Sequence, residues 1–129
     1  MDISSWRETG AVPITVLQLK GDLVAEEPLT TRARAAFADG ARNLVLDLGD
    51  VPYISSAGLR TIHTIYMLLR DADAGEKPTA EGIASGSYKS PHLKLVKPSK
   101  NALKALSTAG YDMFLEIHDT IPAAVQSFT

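Results

Sequence analysis

The chain has 129 residues, 45% of them hydrophobic, and a formal net charge of −2. That length suits one domain, 1–129, with a single substantial core, and the charge balance gives no hint of a nucleic-acid surface, which usually shows as a basic patch. The absence of cysteine excludes disulfides and thiolate metal sites and fits a reducing compartment. No apolar run reaches the roughly 18 residues of a membrane span. The start Met1-Asp2-Ile3-Ser4-Ser5-Trp6 has no secretory pattern, so a free cytoplasmic protein without a membrane partner is expected.

Along the chain, Asp2 to Glu8 reads as a short edge strand and Thr9 to Pro13 as a turn. Ile14 to Leu19 is a β-rich apolar run closed by Lys20-Gly21-Asp22. Glu26-Glu27-Pro28-Leu29 has the acid and proline of a helix start. Leu29, Ala33, Ala36 and Phe37 then share one helical face, and Gly40 ends the helix. Leu44 to Leu48 reads as a buried central strand.

The next helix carries Leu59, Ile62, Ile65, Tyr66 and Leu69 on its apolar side, with Arg60, Thr61, His63, Thr64 and Arg70 opposite. The stretch 73–91, rich in Gly, Ser, Ala, Lys and Pro, reads as a long flexible loop. Its Ser85, Ser87 and Ser90 beside Lys89 are candidates for partner contact or modification. His92 to Val96 alternates like a half-exposed strand. Pro98-Ser99 opens a helix over Leu103, Leu106 and Ala109, ended by Gly110. Met113, Leu115 and Ile117 alternate in a further strand, and Thr120-Ile121-Pro122 starts a last helix with proline at the tolerated first position. The order β, β, α, β, α, β, α, β, α predicts crossover units and a mainly parallel sheet, hence an α/β fold.

The segment Tyr53-Ile54-Ser55-Ser56-Ala57-Gly58-Leu59-Arg60 joins a strand to a helix start. Unpaired N–H groups and the helix dipole favour negative charge there. A serine in that place is either a cap or an acceptor whose phosphate the same N–H groups would welcome. With Asn43 to Val51 before it, this segment resembles the STAS domain of anti-sigma-factor antagonists, stressosome proteins and sulfate transporters. The resemblance runs from about Asp2 to Thr129. It implies a single mixed, mostly parallel sheet with helices packed mainly on one face, no enzymatic activity and no cofactor.

In the antagonists the motif reads roughly Asp-Ser-Ser/Ala-Gly-Leu, and a partner kinase, itself the anti-sigma factor, phosphorylates the serine after the aspartate. The resemblance places that serine at Ser56, with Ala57, Gly58 and Leu59 matching and Ser55 standing where the family has aspartate. A second family acid, in Gly-x-Leu-Asp after the second strand, is replaced by Val24 in Gly21-Asp22-Leu23-Val24. Asp22 lies two residues earlier and is expected on a different side. The resemblance implies partner binding through Ser55, Ser56, Ala57, Gly58, Leu59, Arg60, His63 and Asp22. Thr64 joins Arg60 and His63 as a candidate on the exposed face of the helix. Gly58 either lets the helix start lie close to the sheet or keeps the approach to Ser56 open. The missing acids favour, as an alternative, a phosphorylation-independent STAS adaptor in a larger signalling assembly.

A small serine hydrolase is the remote alternative, since Ile54-Ser55-Ser56-Ala57-Gly58 is similar to a nucleophile elbow that lacks its first glycine. His63 lies two turns along the same helix. His92 and His118 bound strands and carry no strong partner signal. No His, Asp or Glu pair sits at metal-ligand spacing on a clear face.

Overall fold

The computed structural model describes residues 1–73 and 89–128. Among these residues five strands form one sheet in sequence order: β1 (Asp2–Thr9), β2 (Pro13–Lys20), β3 (Leu44–Asp50), β4 (Leu93–Val96) and β5 (Glu116–His118). β1 pairs antiparallel with β2, as a short turn permits, and the other three pairings are parallel. Among the described residues there are four α-helices: α1 (Leu29–Ala38), α2 (Ser56–Ala72), α3 (Lys100–Thr108) and α4 (Ile121–Ser127). Helices α1, α2 and α3 each link neighbouring parallel strands. With strands added in one direction and crossovers of one hand, all three fall on the same face.

Strand alternation divides the core in two. Leu17, Leu19, Leu44, Leu46, Leu48, Leu93 and Leu95 meet Leu29, Ala33, Ile62, Ile65, Leu69, Ala102 and Leu106 on the three-helix face. Ile14, Val16, Val45 and Val96 meet Ala124, Val125 and Phe128 of the α4 segment on the other. β3 is covered on both sides, which is why its apolar run is nearly continuous.

Most elements lie where the sequence puts them, β1 included, and several details differ. β4 is not half exposed: all four residues are buried. The polar member of its alternation, Lys94, faces α4. Its Nζ bonds Glu116 at 2.9 Å and the Ser127 carbonyl at 3.2 Å, 4.6 Å from the Phe128 ring centre. In α3 the inward residues are Ala102 and Leu106, while Leu103 is 41% exposed and Ala109 is exposed. Met113, expected in a strand, belongs to a 3-10 turn (Tyr111–Met113) and is exposed; β5 begins only at Glu116. Pro122 is the second residue of α4, and Thr120 caps that helix by accepting from the Ala123 N–H at 3.1 Å.

At the start of α1, Pro28 lies just outside the helix. The acid acts from further back, Glu27 accepting from the Thr31 N–H at 3.3 Å. Gly40 and Gly110 end α1 and α3 with φ of 103° and 81°, the left-handed conformation that glycine adopts without a Cβ penalty. Of the predicted loop 73–91, residues 74–88, with Ser85 and Ser87, lie outside the described residues. Ser90 is buried, its hydroxyl accepting from the N–H groups of His92 and Leu93 at 3.2 and 3.3 Å. It is a structural turn residue.

Candidate functional site

Two loops at the C-terminal ends of β2 and β3 build the site. The Gly21 N–H donates to the Asp50 carbonyl at 3.0 Å and the Leu23 N–H to the Tyr53 carbonyl at 2.9 Å. An isolated parallel bridge then joins Leu23 to Ile54. Leu23 and Ile54 are buried, so the sheet in effect continues past its strands and fastens the two loops together.

Ser55 leaves this bridge with extended backbone and caps α2. Its Oγ accepts from the Gly58 N–H at 3.2 Å and donates to the Leu23 carbonyl at 3.4 Å. The same carbonyl accepts the Ser55 N–H at 2.9 Å. Ser56 is the first residue of the helix. It is exposed, and its hydroxyl has no hydrogen-bond partner among the described residues. The N–H groups of Ser56 and Ala57 find no acceptor there either. Hydroxyl and free N–H groups therefore open together on the positive end of a helix of 17 residues.

Gly58 lies buried against the Leu23 loop. A Cβ on it would sit 2.3 Å from the Leu23 carbonyl oxygen and 2.9 Å from Leu23 Cγ. Of the two roles the sequence left open for it, the geometry supplies close packing. Leu59 packs against the core, and its carbonyl accepts the Tyr111 hydroxyl at 2.8 Å. Burial pushes the Tyr111 phenol up, with the Arg60 guanidinium acting in the opposite direction. Gly58 and Leu59 thus hold the site in place. Ser56, Arg60 and His63 are exposed, and Ala57 is partly so.

Two expectations are corrected here, for Thr61 and for the strand-end histidines. Thr61 is fully buried; its hydroxyl donates to the Ala57 carbonyl at 3.1 Å, which removes its polarity from the apolar face. Asp22 and Val24 are both exposed, on either side of the buried Leu23. The strand-end histidines do have partners: His92 contacts Asn43 at 3.0 Å and Asp73 at 2.8 Å, and His118 contacts Glu116 at 3.0 Å. None of the three histidines bonds Ser56 among the described residues.

Two features of the site escaped the sequence. Val24 and Tyr53, 50% and 51% exposed, put apolar surface on the two fastened loops. His63 opens a ring cluster with Tyr66, Tyr111 and Phe114, its ring centre 5.9 to 6.5 Å from theirs. The i, i+3 spacing of His63 and Tyr66 was a signal for half of that cluster; the other half arrives from the segment before β5. Among the described residues, no group of three metal-ligating side chains gathers, and no helix is long and apolar enough to cross a membrane.

The fold is shared with solved proteins. An anti-sigma factor antagonist from Mycobacterium paratuberculosis superposes with a TM-score of 0.67 over 96% of this chain and 94% of its own, at 21% identity. The anti-sigma factor antagonist SpoIIAA in its unphosphorylated form gives 0.58 over 94% and 93%, at 16% identity. A comparison with curated proteins finds no match. The STAS domain family matches residues 6–75, a span that holds β2, β3, both fastened loops and the whole of α2. Since that match takes in more than half of the chain, the protein belongs to the STAS domain family.

Proposed function

We propose that this protein is an anti-sigma-factor antagonist-like regulator in the cytoplasm. It binds an anti-sigma factor that is also a serine kinase, and phosphorylation of Ser56 switches the contact. The observation that carries this reading is the division of labour at the start of α2. Ser55 does the capping, so the exposed Ser56 hydroxyl is left without a structural task. The binding surface is Ser55, Ser56 and Ala57 with Arg60 and His63 along α2, flanked by Asp22, Val24 and Tyr53. A phosphate on Ser56 brings close to two negative charges. It is tolerated within the free domain by the open N–H groups and costly in a desolvated contact. Moving a complex from mostly bound to mostly free takes about 5 kcal/mol of differential affinity, which a charge of that size supplies.

The test is intact mass and phosphopeptide mapping of the protein from its own cells, in growth and under stress. A Ser56 phosphate that varies with condition is the expected result. An unmodified Ser56 in every condition, with full peptide coverage, overturns the switch.

A second reading is favoured by one observation: neither Val24 nor Ser55 supplies the carboxylate that the antagonist motif places beside the acceptor. On that reading the domain is a phosphorylation-independent adaptor, and Ser56→Asp leaves partner affinity unchanged. The contacts of the histidines lend no support to a hydrolase.

A further inference from the structure

A groove of about 700 Å³ opens between β1 and the C-terminal half of α1, at the end of the sheet opposite Ser56. That size falls in the range of roughly 300–1,000 Å³ typical of small-molecule sites. Its lining includes Leu17 of β2, which is buried, and Ala35 and Ala36 of α1, exposed and half-buried respectively. Its rim carries three guanidinium groups, Arg7, Arg32 and Arg42, against one carboxylate, Asp39. This is a concentration of positive charge on a chain whose formal net charge is −2.

The register accounts for Arg7. Ser5 opposes Leu17 and Arg7 opposes Thr15, so these side chains share the face that α1 covers. Arg32 reaches from α1 to the Ile3 carbonyl at 3.0 Å and the Ser5 hydroxyl at 3.1 Å. Arg42 donates to the carbonyls of Phe37 and Ala41, at 2.8 Å each, and lies 3.8 Å from the Phe37 ring centre. All these anchors are neutral: they fix two guanidinium groups in place without cancelling their charge. Arg7 is exposed and has no hydrogen-bond or ion-pair partner among the described residues. None of the three pairs with a carboxylate there.

Guanidinium forks held this way are preorganised for planar or tetrahedral oxyanions and lose little freedom on binding. We infer that the groove binds a small organic anion. A carboxylate, sulfonate or phosphate group sits on the arginine rim, and a short apolar body lies against Ala35 and Ala36.

Anilinonaphthalene sulfonate, an anion with a flat apolar body, serves as the probe on the full chain, with amide NMR shifts to map where it sits. Saturable one-site binding is expected, with shifts confined to β1, the start of β2 and the second half of α1. Arg7→Glu weakens it by about tenfold or more, and Arg7→Lys by less, because lysine keeps the charge but not the fork. Arg34→Glu changes the same net charge on α1 away from the groove and leaves affinity within about twofold. Shifts centred elsewhere, or equal losses in the Arg7→Glu and Arg34→Glu variants, overturn the proposal. An amide spectrum of each variant before titration establishes that it is folded.

Discussion

Replacing Ser55 with alanine removes the oxygen that accepts the Gly58 N–H and costs about 1 kcal/mol of stability, the usual worth of an N-cap. Ser56→Ala, one residue on, removes an exposed hydroxyl with no partner among the described residues, and the change stays within about 0.5 kcal/mol. Urea denaturation of the two variants checks the division of labour on which the proposed switch rests; equal losses would remove that support. Gly58→Ala sets two effects against each other. Alanine is the better helix residue by about 1 kcal/mol, but its Cβ would fall 2.3 Å from the Leu23 carbonyl oxygen, a backbone atom that also holds Ser55. The overlap wins, with a net loss of about 2 kcal/mol, read as a lower denaturation midpoint. The two serines were legible as a pair, since a hydroxyl residue at a helix start signals a cap. Which of them caps was not, because that depends on where Leu23 places its carbonyl, 32 residues away in sequence.

Among the elements, α3 shows where periodicity is ambiguous. Leu103, Leu106 and Ala109 form one plausible face, and Ala102, Ala105 and Leu106 form another; they differ by a small rotation of a helix of nine residues. Ser99 decides between them. It caps α3 by accepting from the Ala102 N–H at 3.1 Å and donates to the Val51 carbonyl at 3.1 Å, which pins the first turn to the loop after β3. Leu103→Lys is therefore expected to change stability by less than about 0.5 kcal/mol, and Leu106→Ala to lower it by about 2–5 kcal/mol. Thermal or urea unfolding of both settles the rotation. The long elements were readable because their signals are redundant. In α2 five apolar positions agree, and in β3 burial on both sides makes the run nearly continuous. Short elements lack that redundancy: β5 has three residues, and the Met113, Leu115, Ile117 alternation extends into a 3-10 turn.

At the scale of the whole molecule, the described residues give the sheet two unequal covers: three helices on one face and the seven-residue α4 on the other. The small cover is held partly by charge. Lys94, 2% exposed, stands on β4 beside the edge strand, opposite Glu116 in the β4–β5 register. It ties that strand to the last carbonyl of α4 through Nζ. His118 closes the group from the other oxygen of Glu116 at 3.0 Å. Burial alone would raise the Glu116 carboxyl, but the Lys94 ammonium and then His118 outweigh it and hold the group below its ordinary value of 4.5. A carboxyl depressed on folding contributes stability that is fully present above its unfolded value and is lost as pH falls through the folded one. The stability of the domain should therefore fall as pH drops below about 4.5, in part through this cluster. Glu116→Gln isolates that part. Near neutral pH it takes the carboxylate charge from beside the buried Lys94, leaving an uncharged amide oxygen and the Ser127 carbonyl as acceptors, and lowers stability by about 1–3 kcal/mol. In acid the native protein loses the same interaction by protonation, so the difference between the two proteins narrows. Urea midpoints of both at a series of pH values from neutral into acid measure it directly, and a difference that stays constant throughout would mean that the Glu116 charge has no part in holding α4 to the sheet.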